Sequence, residues 1–310
     1  MYFPYLRGRQ FELIAIRELV ENELIGSKVI PIIEPIKPTS TLMKTINLFT
    51  EREQKIAVIH NPQVGTYLKA LSNLSSSTLK DGLINVFEKE NVIFSHILNK
   101  NSRTELASID GKQTKEEMLL ILNDRENIND YLNIFDDETP QFTLVPDESS
   151  YRRKIKNNRV LFMDRFTRQQ RNADYYNLED ESYSEDHLYY TEDGYIGFSD
   201  YSIAGADFSE SGFAPYAVVI HMVYFNEEQN LRIKHFVSES NDDINDPAGK
   251  FYEALEKLMK WQSEVNLDTY GMEEFAKHYN NGTYPGLGTV KKLSIMHHIE
   301  LVNKYLEVNS

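Results

Sequence analysis

Charged and hydrogen-bonding residues recur where the short apolar runs of this chain stop. Arg7 and Arg9 follow YFPYL, Glu34 and Lys37 follow VIPII, and His60 and Asn61 follow IAVI. Asp124 follows MLLILN, Asp164 and Arg165 follow RVLFM, and Asp200 and Tyr201 follow YIGFS. A carboxylate at the end of a buried strand is costly unless a cation meets it. Glu34 therefore calls for Arg7, Arg9, Lys37, Arg165, a metal or a cationic ligand. If these residues share one rim, the chemistry they suggest is metal-assisted hydrolysis of a phosphate ester. Glu34, Asp164 and Asp200 would bind a divalent metal ion or act as acid and base, with His60 as an auxiliary acid or base. Arg7 and Arg9 would hold the anion, with Lys37, Asn61, Asp124, Arg165 and Tyr201 as further substrate contacts. Each residue also has a plain structural reading. Turns demand Asn and Asp at strand ends, His60 can be a core histidine with its hydrogen bonds met, and Asp164 with Arg165 can be an ion pair.

The elements that would position these residues are legible. Eight β-branched or aromatic runs span residues 2–8, 29–35, 56–62, 92–99, 118–124, 142–147, 159–165 and 195–201. They are short and apolar on both faces, as strands covered on both sides are. Between them, residues 11–23, 39–49, 66–77, 78–90 and 125–135 carry helix-spaced apolar stripes. Later, Asp246-Pro247 opens a helix with Phe251, Ala254, Leu255 and Leu258 on one stripe. A last helix covers about 292–306, after the turn-rich NNGTYPGLG. This alternation predicts an α/β fold, a (β/α)8 TIM-like barrel in a single domain over 1–310, with an extra C-terminal β-hairpin and helices. An open doubly wound sheet is the alternative. The hairpin, at about 214–238, pairs YAVVIHMVYF with LRIKHFVS; either it is added to the barrel, or residues 216–225 form the eighth strand. In parallel βα folds the carboxyl ends of all strands lie on one face, where ligands bind. The polar strand ends would converge there.

The chain has no cysteine, which excludes disulfides, thiolate metal sites and a thiol nucleophile, and fits a cytoplasmic protein. There is no secretory pattern in MYFPYLRGRQFE, and no apolar run reaches membrane-spanning length. HExxH, CxxC, GxSxG and the P-loop are absent. GADFSESG, at 205–212, bears glycines without a GxGxxG pattern, and GTYPGLG, at 282–288, precedes a helix where an anion could sit. His297 and His298 are adjacent on a helix and point about 100° apart, so they would not share a metal. His221 and His235 lie on the two hairpin strands. Cross-strand packing accounts for them, with a place at the barrel mouth as the alternative.

The net charge of −15 disfavours direct binding to nucleic acid or an anionic membrane. Its distribution is uneven. Eight basic residues between Arg152 and Arg171 abut the segment 174–193, which has eight carboxylates, five tyrosines and no Lys or Arg. This acidic, Tyr-rich insertion, at about 166–194, is either a solvated loop or a mobile cover that occupies the basic surface when the ligand is absent.

The blocks MYFPYLRGRQFELIAIREL, KVIPIIEPIK, RVLFMDRF, YIGFSDYSI, HFVSESNDDINDPAGKFYEAL and YPGLGTVKKLSIMHHIELV resemble the bacterial and phage "beta protein" family. The matching positions include Arg7-Gly8-Arg9-Gln10, Glu34-Pro35, Asp200-Tyr201 and the helix start at Pro247–Phe251. The resemblance implies a role in phage or plasmid conflict and a small nuclease-like companion protein as partner. It implies no catalytic role. Two expectations follow: a barrel hydrolase of phosphate-containing or nucleotide substrates, or a non-catalytic module that binds the companion through the hairpin and acidic segment.

Overall fold

The computed structural model describes residues 1–75, 77–109, 113–136, 138–209 and 215–309. Eight strands run parallel and neighbour one another in chain order: β1 (Tyr5–Leu6), β2 (Ile32–Ile33), β3 (Ile56–Ile59), β4 (Val92–Ile97), β5 (Leu119–Ile121), β6 (Phe142–Val145), β7 (Arg159–Phe162) and β9 (Gly197–Ser199). β8 (Asp180–Ser184) lies in a second sheet. The last strand returns to the first, because Phe3 N–H donates to Phe198 O and Tyr5 N–H to Asp200 O, each at 2.8 Å. The sheet therefore curls into a nearly closed (β/α)8 barrel rather than an open doubly wound sheet. The run 195–201 supplies the eighth strand, so residues 216–225 do not.

Alternation explains why the strands read as unbroken apolar runs. Successive side chains point to opposite faces, and both faces here meet a core. Tyr5, Ile32, Ala57, Ile59, Leu119, Ile121, Leu144, Val160 and Phe162 fill the barrel interior. Leu6, Ile33, Ile56, Val58, Leu120, Val145 and Leu161 face the helix layer. That layer consists of α1 (Gln10–Glu21), α2 (Ser40–Glu51), α3 (Tyr67–Asn73), α4 (Thr78–Ile84), α5 (Ser102–Ala107), α6 (Ile128–Phe135) and α7 (Ser149–Lys154). The stripe of α2 buries Leu42, Ile46 and Phe49, and Thr39 caps it by accepting from Leu42 N–H.

The β7–β9 connection carries β8 and α8 (Asp186–Tyr189). The acidic segment is thus neither a loop nor a free cover. β8 pairs antiparallel with β11 (Leu231–Val237), which pairs with β10 (Val219–Phe225), in a sheet ordered β10-β11-β8. Its carboxylates meet cations along the way: Asp180 with Arg232, Glu179 with Lys234, and Asp186 with Arg165. Residue 214, at the start of the expected hairpin, lies outside the described residues, as do residues 210–212 of GADFSESG.

Three helices complete the chain: α9 (Pro247–Val265), α10 (Tyr270–Asn281) and α11 (Leu287–Val308). Asp246 caps α9, accepting from Gly249 N–H at 2.9 Å. The last helix starts at Leu287, earlier than its apolar stripe suggests, because Gly286 (φ 87°) ends the turn there. α11 packs on α1 and α10 and also on β10, tying the barrel to the second sheet. Among the described residues no helix is long and apolar enough to cross a membrane.

Candidate functional site

Inward-facing residues one step past β1 and β2 reach the barrel mouth. Glu34 is fully buried there. One of its oxygens accepts from Tyr5 Oη at 2.7 Å and pairs with the Arg7 guanidinium; the other accepts from Gln63 N–H at 2.7 Å. The cation that Glu34 demanded is therefore Arg7. Burial works against the Arg7 charge, but Tyr5 and Glu34 outweigh it and raise its pKa. Arg7 also donates to Ala206 O at 2.7 Å and lies over the rings of Tyr5 and Tyr201. Asp164, exposed at the end of β7, accepts from Ala206 N–H at 2.8 Å and Phe166 N–H at 3.1 Å. Arg7, Glu34, Asp164 and Tyr201 thus gather at the mouth, bound to one another and to the Ala206 backbone. Gly8 makes the RGR turn possible: its φ is +62°, and a Cβ would sit 3.0 Å from Glu34 O.

Beside the mouth, between the segments after β1, β7 and β9 on one side and β10 with α11 on the other, opens a cavity of about 360 Å³. Among the described residues its lining carries four cations, Arg7, Arg9, Arg168 and Lys291, against two carboxylates, Glu12 and Asp207. Arg9 lies over Phe208 and donates to Ser209 O at 2.6 Å. Arg168 makes a long bond, 3.4 Å, to Asp207 O. Lys291 Nζ is 4.0 Å from buried Glu12. Protein crowds Lys291 although 37% of its side chain stays accessible. Burial lowers its pKa; Glu12 opposes this, and Arg9 and Arg168 add to it. Phe166, Tyr175 and His221 form a ring-lined wall.

The remaining sequence-selected residues lie elsewhere. His60 is an outward position of β3: it stacks on Phe94 and meets His96 Nδ1 at 2.6 Å, and His96 in turn meets Ser102 Oγ at 2.7 Å. Burial pushes His60 down to about 4. It is a core histidine, not an acid or base at the mouth. Asn61 ties β3 to β4, accepting from Ile97 N–H and donating to Ile97 O, each at 2.9 Å. Asp200 also faces outward, under α11. It accepts from Tyr2 Oη at 2.8 Å and Ser202 N–H at 2.7 Å, and burial raises its pKa to about 6. Arg165 points to α8, where its Nε donates to Asp186 at 2.8 Å. Asp124 caps a turn through Glu126 N–H, and Lys37 is exposed.

The metal set expected from Glu34, Asp164 and Asp200 is corrected by this placement. Glu34 already holds three donors, Asp164 holds two backbone N–H groups, and Asp200 lies on the other side of its strand. Among the described residues no three His, Cys, Asp or Glu side chains gather as metal ligands. The residues that sequence reasoning missed are Glu12 and Lys291. Lys291 follows the Gly-rich turn that suggested an anion at a helix start, but its partners Arg9 and Arg168 are 282 and 123 residues away by position. No family model, no curated protein and no solved structure matches this chain.

Proposed function

We propose that the chain binds a phosphate-bearing ligand, of nucleotide type, in the cavity beside the barrel mouth. One observation carries this reading: Arg9, Arg168 and Lys291 crowd a single cavity in an otherwise acidic protein, with buried Glu12 as the carboxylate nearest Lys291. Like charges brought together without a ligand repel one another. An anion between them would turn that repulsion into charge-assisted hydrogen bonds. Glu34 serves this site indirectly, by holding Arg7 at the lining. The ring wall of Phe166 and Tyr175 offers a flat apolar surface to the organic part of the ligand. Among the described residues no ligand set for a metal assembles, and a metal is not part of the reading. The test is thermal-shift titration with inorganic phosphate and with nucleoside mono- and diphosphates, using the parent nucleosides as controls. The phosphates should raise Tm in a salt-sensitive manner, and Arg168→Ala and Lys291→Ala should remove the effect. Stabilisation by none of them refutes the reading.

A second reading keeps the resemblance to beta proteins and their nuclease-like companions. It draws support from the exposed rings of Tyr176, Tyr189 and Tyr216, 52%, 47% and 59% accessible. It also draws on a groove between β11 and α9 lined by Tyr176, Phe236 and Trp261. Trp261 is the only tryptophan. A companion docking there should change its fluorescence, and an unchanged spectrum at saturating companion would rule the groove out as the contact.

A further inference from the structure

His221, His235 and Glu181 form one hydrogen-bonded line from the second sheet to the cavity. His235 Nε2 lies 2.9 Å from Glu181 Oε1, and His235 Nδ1 lies 2.7 Å from His221 Nδ1. The carboxylate can only accept, so His235 carries its proton on Nε2 and its lone pair on Nδ1. His221 must then donate from Nδ1, which leaves the lone pair on Nε2. That nitrogen has no hydrogen-bond partner among the described residues and keeps some solvent access although the ring is crowded, and His221 lines the cavity. The rings are held in place: His221 meets Phe166 at 5.0 Å and Tyr175 at 4.7 Å, both edge to face, and His235 is 4% accessible. A packed histidine pair needs neither a terminal carboxylate nor a free nitrogen turned to a cationic cavity.

We propose that the cavity is catalytic and that His221 is the base for hydrolysis of a phosphate ester, an inference that rests on the anion-binding reading above. His221 Nε2 takes a proton from a water whose oxygen attacks phosphorus. The new P–O bond forms as the ester P–O bond breaks, and the displaced oxygen leaves as the alcohol with a proton from solvent. Arg168 and Lys291 face the charge that builds on the phosphoryl oxygens. The imidazolium is steadied by Glu181 through neutral His235, and it returns its proton to solvent. Glu181 and His235 are positioning residues: they set the tautomer and ring angle of His221 and touch no substrate. Burial first, and then the nearby Lys291 charge, hold the His221 pKa well below its ordinary value, so its lone pair is free at neutral pH.

The experiment follows p-nitrophenolate release from p-nitrophenyl phosphate and bis(p-nitrophenyl) phosphate, with phosphate binding measured in parallel by thermal shift. Wild type should turn over at least one ester. His221→Ala should lower kcat by about 10²–10⁴-fold while phosphate still stabilises it, and added imidazole should restore part of the rate. Glu181→Gln, at a partly exposed position and independent of how well His221→Ala folds, should lower kcat at unchanged KM. Long-range ¹H–¹⁵N spectra should show His221 protonated at Nδ1 and bare at Nε2. Phosphate binding without turnover of either ester, or His221→Ala with wild-type kcat, overturns the catalytic inference and leaves the binding reading intact. Absence of phosphate binding by wild type overturns both.

Discussion

Glu34→Gln tests the organisation of the mouth with the least change of shape. The carboxylate is 0% exposed and receives Tyr5 Oη, Gln63 N–H and the Arg7 guanidinium, whose side chain is 14% exposed. Glutamine keeps one carbonyl acceptor but replaces the other oxygen with an NH₂. Whichever way the amide turns, a donor faces a donor, either at Gln63 N–H or at the Arg7–Tyr5 pair. Removing one partner of a buried ion pair costs about 3–5 kcal/mol, because the other charge is stranded. Tyr201 and Ala206 O still hold Arg7, so the lower end, about 3 kcal/mol, applies. At roughly 2.1 cal/mol/K per residue, this chain has an unfolding entropy near 0.65 kcal/mol/K. The loss corresponds to a Tm fall of about 5 °C, read by calorimetry. Arg7→Met should recover part of it when combined with Glu34→Gln, since the stranded cation is then gone, and the double-mutant cycle should show strong coupling. A Tm change under about 1 °C for Glu34→Gln, or strictly additive effects, would refute the argument that Arg7 is the cation Glu34 was placed to meet.

Other perturbations reach other parts of the molecule. Asp200→Asn should stabilise the protein at pH 8. The folded-state pKa of about 6 exceeds the ordinary 3.8, so the charged form is disfavoured by up to ~3 kcal/mol. The sign follows: the native state holds this proton more tightly, its contribution is full below about pH 4 and is lost as pH rises through 6, and the advantage of Asn should vanish at low pH. Equal Tm differences at pH 4 and pH 8 would contradict it. Acid should nevertheless weaken the protein as a whole. His60, His96, His297 and His298 are held down to about 4, 3, 4 and 3 by burial, so the unfolded chain takes up protons first as pH falls below 6.5. Tm should drop steeply between pH 6 and about 4.5, and a flat profile there would exclude buried neutral imidazoles. Arg165→Gln should free α8, which Arg165 holds through Asp186. Because segment 174–193 lacks Lys and Arg, a Glu-specific protease is the probe, and cleavage after Glu181 or Glu185 should quicken. Unchanged cleavage would mean that β8 pairing alone holds the insertion.

The strands, most of the barrel helices and the face on which polar residues would gather were legible in the sequence. Those features are local: a run of both-face-buried apolar residues reads as a strand, and an i, i+3, i+4 stripe reads as a helix. The need of Glu34 for a cation was equally local, because a carboxylate at the end of a buried run has few ways to be satisfied. Only the tertiary structure decided which side of each strand a terminal residue faces. A shift of one position sends a side chain to the opposite core. That parity turns Arg7, Glu34, Asp164 and Tyr201 to the mouth, and His60, Arg165 and Asp200 to the helix layer. It also decided that the acidic segment contributes a strand, β8, since its partners Arg232, Lys234 and His235 stand on the neighbouring strand β11, 52 to 55 residues further along the chain. The cavity depends on both: Arg9, Arg168, His221 and Lys291 become neighbours only when the barrel closes and α11 folds back across β10, and no spacing along the chain records that.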